Sequence, residues 1–110
     1  MSYHIANDFW GPPVWISIHS FAMAYEPTPE NAKAFAQFID SLTNLLPCHK
    51  CRVHLRKNLA QLPLNKHLHS REALFRWTYQ LHDLVNSQLK KPRPSYEWAE
   101  AYYKQKIYTT

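Results

Sequence analysis

Gly11 is the only glycine in the chain, and its isolation excludes whole classes of nucleotide-binding fold before any pattern is read. Gly-rich phosphate loops, GxGxxG turns and Walker loops need several glycines close together, because the backbone there must approach a phosphate or take a left-handed conformation. A dinucleotide, if one binds, is held without a Rossmann crossover. No segment alternates apolar and polar residues over strand length, nothing repeats internally, and apolar positions recur at three- and four-residue steps. The fold class expected is all-α: four main helices in a bundle with a short fifth against one end, forming a single domain over all 110 residues.

The helix boundaries follow from caps and prolines. Asn7 or Asp8 is placed to cap a first helix, with Pro12 and Pro13 in its opening turn, where a missing N–H is an orphan in any case. The apolar run Val14 to Tyr25 continues it, with Trp15, Ile18, Phe21, Ala22 and Tyr25 at helical steps and His19 on a neighbouring stripe. Thr28-Pro29-Glu30 starts a second helix, which reaches about Leu46 and stops at Pro47. A more basic third helix is expected from Cys48 to about Leu59, followed by a loop through Pro63 and Asn65-Lys66-His67. Ser70 caps the longest amphipathic run, Arg71 to about Leu89, with Leu74, Trp77, Leu81, Val85 and Leu89 facing inward. Lys90-Lys91-Pro92-Arg93-Pro94 forms a basic turn, and Ser95 caps a short last helix bearing Trp98, Ala99, Tyr102 and Tyr103; the final residues are expected to fray.

The formal net charge is +5, but the lysines and arginines are scattered rather than blocked. That distribution suits a solvated basic surface, and no nucleic-acid partner is expected. No apolar run approaches the ~20 residues that span a bilayer, and Met1 to Asp8 show no basic region followed by an apolar core, so neither a membrane segment nor a secretory signal is expected. The aromatic content of 15% supplies packing and could also wall a site for a flat cofactor.

The chemistry centres on Pro47-Cys48-His49-Lys50-Cys51-Arg52, which holds both cysteines of the chain. Two residues between two thiols is the spacing of a redox disulfide and also of half a zinc site. If a helix begins near Cys48, that thiol lies among unpaired amides at a helix N-terminus, and His49, Lys50 and Arg52 add positive charge; both favour the thiolate, the form that attacks a disulfide. Such a dithiol needs an electron sink, and with no second cysteine pair an organic one is implied. The alternative is a zinc-stabilised basic helical binding module, using the cysteines with two of His49, His54, His67 and His69. His82 and Asn86 lie four residues apart on one helical face, which is either a solvated edge or a hydrogen-bonding edge for a ligand.

Four elements together resemble a known family. Trp10-Gly-Pro-Pro-Val-Trp15-Ile-Ser-Ile-His19, Leu46-Pro47-Cys48-His-Lys-Cys51-Arg52, Leu81-His82-Asp-Leu-Val85-Asn86-Ser-Gln-Leu89, and Lys91-Pro92 with Trp98 are similar in order and spacing to the Erv/ALR-type FAD-dependent sulfhydryl oxidases. The resemblance covers about residues 9 to 103. It implies a four-helix bundle, usually dimeric, holding FAD at its mouth beside the CxxC. Cys51 would then be the flavin-proximal cysteine and Cys48 the one that exchanges with substrate thiols. Trp10, Trp15, His19, Tyr25, His82, Val85, Asn86, Leu89, Lys91 and Trp98 would line or contact the cofactor, Lys91 near its phosphates and Trp98 beside the adenine.

The implied reaction oxidises thiols of a protein substrate or a thioredoxin-like carrier, with O2 as acceptor and H2O2 as product. Two features depart from the family pattern. Asp83 follows His82 where many members have Asn, an acid placed to hold the His82 ring or a nearby arginine. No second cysteine pair is present to act as a shuttle, so Cys48 meets substrate directly, as in compact forms that include those encoded by large DNA viruses. The compartment is left between a mitochondrial intermembrane space and, for a viral protein, the host cytoplasm or virion.

Overall fold

The structure, a computed structural model, describes residues 6–108. Part of the stretch read for a secretory signal, residues 1–5, and the terminal residues 109–110 expected to fray lie outside the described residues. The chain forms α1 (Asn7–Met23), α2 (Pro29–Leu45), α3 (His49–Gln61), α4 (Arg71–Gln88) and α5 (Tyr96–Ile107), with no strand among the described residues. No helix is long and apolar enough to cross a membrane.

α4 is the hub: it packs against α1, α3 and α5, while α2 pairs with α3 and α1 with α5. Its buried side chains Leu74, Phe75, Trp77, Thr78 and Leu81 meet Ile18, Ala22 and Met23 of α1, Phe35 and Ile39 of α2 and Leu55 of α3 in one core. The site described below lies where this core opens.

Three helix starts follow the capping residues. The hydroxyls of Thr28, Ser70 and Ser95 accept from the amides of Asn31 (3.1 Å), Ala73 (3.0 Å) and Trp98 (3.1 Å).

α1 departs from expectation at both ends. Its N-cap is Ala6, without a side-chain cap, because the Asn7 carboxamide is used to accept the Trp10 indole N–H at 3.1 Å. Pro12 and Pro13 therefore sit inside the helix, beyond the opening turn, and remove the amides that would pair with the carbonyls of Asp8 and Phe9. Those residues are exposed, so water can replace the missing donors. The helix ends at Met23, leaving Tyr25 outside it.

The segment expected as a loop contains a 3-10 turn over Leu64–His67, whose short-range bonds need no amphipathic period. α4 closes with Lys90 at φ 56°, the Lys91 amide donating to Asn86 O at 2.8 Å and the Lys90 amide to Ser87 O at 3.3 Å. This is the Schellman arrangement with lysine where glycine is usual. The left-handed backbone costs a residue with a side chain roughly 1–2 kcal/mol. It turns the chain so that Lys91 lies at the site.

Candidate active site

Cys48 is the N-cap of α3, and its Sγ accepts the amide of Cys51 at 3.2 Å. The sulfur thus occupies the position among orphan helix amides that the sequence predicts. Cys48 and Cys51 are joined in a disulfide with Cα atoms 5.1 Å apart.

The turn that carries the disulfide is fixed from the α2 side. Arg52 donates to Leu46 O, and Arg56 Nη2 donates to Thr43 O at 2.6 Å and Asn44 Oδ1 at 2.9 Å. Two α3 guanidinium groups therefore satisfy carbonyls at the α2 C-terminus, where the helix dipole is negative. Arg52 is committed to this bracing as well as adding charge near the thiols, whereas His49 and Lys50 are exposed.

A cavity of about 390 Å3 opens beside Cys51, walled by residues of α1 to α4 and of the turn after α4 that include Trp10, Trp15, His82, Val85, Asn86, Leu89 and Lys91. Cys48 does not line it. A second cavity of about 300 Å3 lies between α4 and α5 and is lined by His19, His82, Asn86, Trp98, Tyr102 and Tyr103 among others. His82, Asn86 and Tyr103 line both cavities, so the helical face carrying His82 and Asn86 forms the wall between them.

One residue expected at the cofactor is placed elsewhere. Tyr25 is buried in the core against Phe35, with its hydroxyl donating to Leu68 O at 2.9 Å. It lines neither cavity, because α1 stops before it and the chain has already turned toward α2.

The ring stack at the shared wall is tight. Trp15 and His82 lie parallel at 3.9 Å with an interplanar angle of 3°. His82 Nδ1 is 2.8 Å from His19 Nε2, and His19 Nδ1 is 3.0 Å from Thr78 Oγ1. Burial, reinforced by the neighbouring His82, lowers the pKa of His19 to about 3. Burial, together with the charge of Lys91 and against the opposing effect of Asp83, lowers that of His82 to about 4.

Both rings are neutral at neutral pH, and this gives a pH signature. The unfolded chain takes up protons near the ordinary value of 6.5, whereas in the folded chain His82 resists until about 4 and His19 until about 3. The stability contribution is therefore complete above pH 6.5 and is lost as the pH falls toward 4. Urea unfolding over a pH series is expected to give a plateau above neutrality. Below pH 6.5 the slope should reach up to ~1.4 kcal/mol per pH unit for each histidine. A flat profile down to pH 4 would contradict the neutral buried pair.

Asp83 resolves the first departure from the family pattern. It accepts both Nε and Nη2 of Arg93, at 2.9 and 2.8 Å, and the Arg93 hydrogen bonds hold its carboxyl below the usual range. With the Tyr79 hydroxyl donating to Pro94 O at 2.6 Å, this pair pins the α4–α5 connection beside the smaller cavity. The acid holds the arginine.

Several residues of the site escape the sequence reading. Asn58 is 1% exposed and exchanges two hydrogen bonds with Gln88, at 3.1 and 2.8 Å, which ties the disulfide-bearing α3 to α4. The signal for it is a polar residue on the stripe of Leu55, Leu59 and Leu62. Tyr103, read only as a residue of the last helix, and His54, read only as a candidate metal ligand, also line cavities. Among the described residues, no group of three or more His, Cys, Asp or Glu is gathered for a metal ion.

This geometry has counterparts. The Erv1 / Alr family model matches residues 12–106. A protein of Acanthamoeba polyphaga mimivirus, named as a probable FAD-linked sulfhydryl oxidase, is 36% identical over 90 residues, covering 79% of this chain and 63% of its own length. The FAD-linked sulfhydryl oxidase of African swine fever virus is 34% identical over 104 residues, 92% of this chain and 85% of the relative. The crystal structure of the FAD binding domain of Erv1 from Saccharomyces cerevisiae superposes with a TM-score of 0.84 at 27% identity, over 96% of this chain and 99% of that one. With its disulfide at the start of α3, its paired ring-walled cavities and these matches along nearly its whole length, the chain belongs to the Erv1 / Alr family.

Proposed function

We propose that this protein is an FAD-linked sulfhydryl oxidase that forms disulfides in protein thiols. The observation that carries the reading is the asymmetry of the disulfide: Cys51 lines the larger cavity and Cys48, bonded to it, does not. In this reading the sulfur at the cavity delivers electrons inward while the other meets substrate.

The residues present fit FAD. A flat ring system needs parallel or apolar walls, and Trp15, Ile18, Leu42 and Val85 provide them near Cys51. A second ring system suits the smaller cavity beside Trp98 and Tyr102, which stack at 5.0 Å. Lys91, at the larger cavity, supplies a positive charge suited to the phosphates that join the two. FAD, when bound, supplies the two-electron sink for the Cys48/Cys51 dithiol and the chemistry that passes the pair to O2 as H2O2.

The chain's own steps are thiol exchange. A substrate thiolate attacks Cys48 Sγ, forming a mixed disulfide and releasing Cys51 as the thiolate. Cys51 lies in the first turn of α3, where the positive end of the helix dipole favours its thiolate. A second substrate thiol, deprotonated, attacks the substrate sulfur of the mixed disulfide and releases Cys48, leaving an oxidised substrate and a reduced Cys48/Cys51 pair. The exposed basic residues His49 and Lys50 flank the exchanging sulfur. The substrate is a protein thiol or a thioredoxin-like carrier. Pairing of two copies into a homodimer is supported by Phe9, Ile16 and Phe21, apolar side chains of α1 that remain 81%, 51% and 54% exposed.

A visible absorption spectrum of the purified protein tests the reading. A flavin band near ~450 nm, bleached by a dithiol under argon and restored by air, is expected. A colourless protein that takes up no FAD on titration would overturn it.

A further inference from the structure

The polar chain linking α4 to His19 and His82 has a direction, set by one hydroxyl. Thr78 Oγ1 has a single proton and donates it to Phe75 O at 2.7 Å. Toward His19 Nδ1, at 3.0 Å, the same oxygen can only accept, so Nδ1 carries the ring proton of His19. The lone pair of neutral His19 is then on Nε2. His82 Nδ1, 2.8 Å away, must therefore supply the proton of that contact. The lone pair of neutral His82 is left on its own Nε2, which has no protein partner among the described residues.

Both rings are held neutral by burial. Of the charged groups near His82, Lys91 and Asp83, neither enters the chain of bonds, and Asp83 is occupied by Arg93.

We propose that Thr78, 0% exposed and lining neither cavity, is a positioning residue that fixes the tautomers of both histidines, so that His82 presents an acceptor at the wall between the two cavities. The occupant must then offer a donor there, an amine N–H or a hydroxyl, which FAD carries on its adenine and ribose. The inference rests on the FAD reading for the identity of that occupant. The tautomers themselves belong to the chain.

Removing the hydroxyl reverses the chain. In Thr78→Val the buried Nδ1–H of His19 loses its acceptor, and an unpaired buried donor is unfavourable. The His19 proton then moves to Nε2, facing His82 Nδ1, which must give up its own proton in favour of Nε2–H. His82 becomes a donor toward the cavities and opposes a donor on the ligand.

Two-bond 1H–15N correlation spectra of histidine-labelled full-length chain, before and after FAD is added, read the tautomers directly. We expect Nδ1–H for His19 and His82 in the unaltered chain and in Thr78→Ser, and Nε2–H for both in Thr78→Val. Fluorescence titration with FAD is expected to weaken at least about tenfold in Thr78→Val, the scale of one lost hydrogen bond, and to recover in Thr78→Ser. An Nε2–H tautomer of His82 in the unaltered chain overturns the proposal whether or not the valine variant folds, as does unchanged FAD affinity in a folded Thr78→Val chain. Absence of FAD binding by the unaltered chain overturns the cofactor reading instead, and the spectra alone then decide the role of Thr78.

Discussion

A Cys51→Ser chain is expected to turn over no dithiol while still binding FAD. Cys51 is the cysteine that lines the larger cavity, so its loss leaves Cys48 able to exchange with substrate but unable to close the disulfide through which electrons leave. The expected loss is more than ~1000-fold, the scale on which removal of a covalent participant acts. Oxygen consumption with dithiothreitol measures turnover, and flavin absorbance of the same sample measures occupancy. Retained turnover would remove Cys51 from the electron path. Cys48→Ser is the companion variant: it should lose oxidation of protein thiols and alter the flavin spectrum, because an unbridged Cys51 then faces the cavity.

Replacing Trp77 with alanine is expected to have the largest effect on stability. Trp77 is 0% exposed at the centre of the hub helix, and its indole N–H donates to Leu62 O at 3.0 Å, the C-cap residue of α3. Emptying such a site costs about 3–5 kcal/mol and leaves that carbonyl without its donor. Against a total of about 5–15 kcal/mol for domains in general, the variant should lose a large part of its folded population at physiological temperature. Thermal melts followed by far-ultraviolet circular dichroism check this, with Trp77→Phe as the milder comparison. A loss below ~1 kcal/mol for the alanine variant would mean that the core repacks around the void.

The helix scaffold was legible because its signals are local. Thr28, Ser70 and Ser95 act within three residues of themselves, and α2 and α4 carry their apolar period in the chain. Cys48 at the head of α3 was legible for the same reason: Pro47 and the basic run after it mark a helix start. What escaped depends on neighbours distant in sequence. Thr78 looks like an ordinary helix residue until His19, 59 positions away, is brought against it, and Asn58 and Gln88 reveal their purpose only as a pair. Tyr25 entered the cofactor set through the resemblance and the first helix through its spacing, and neither shows that α1 stops two residues before it. The resemblance named some of the residues around the two cavities, among them Trp15, His82, Asn86 and Lys91. The proposed direction of the hydrogen bonds at their shared wall rests on contacts between residues far apart in the chain.

The sulfur at the head of α3 ties backbone to electron count. A capping serine or threonine is chemically constant, whereas Cys48 caps α3 as one half of a disulfide, its Sγ accepting the Cys51 amide, and in the proposed cycle the same sulfur would also take mixed-disulfide and thiolate forms. An amide bonds more strongly to an anion than to a neutral sulfur, so this cap would tighten wherever the proposed cycle leaves Cys48 as a thiolate against the Cys51 amide. In the disulfide form the cap contact joins the two cysteines by a route other than their shared bond.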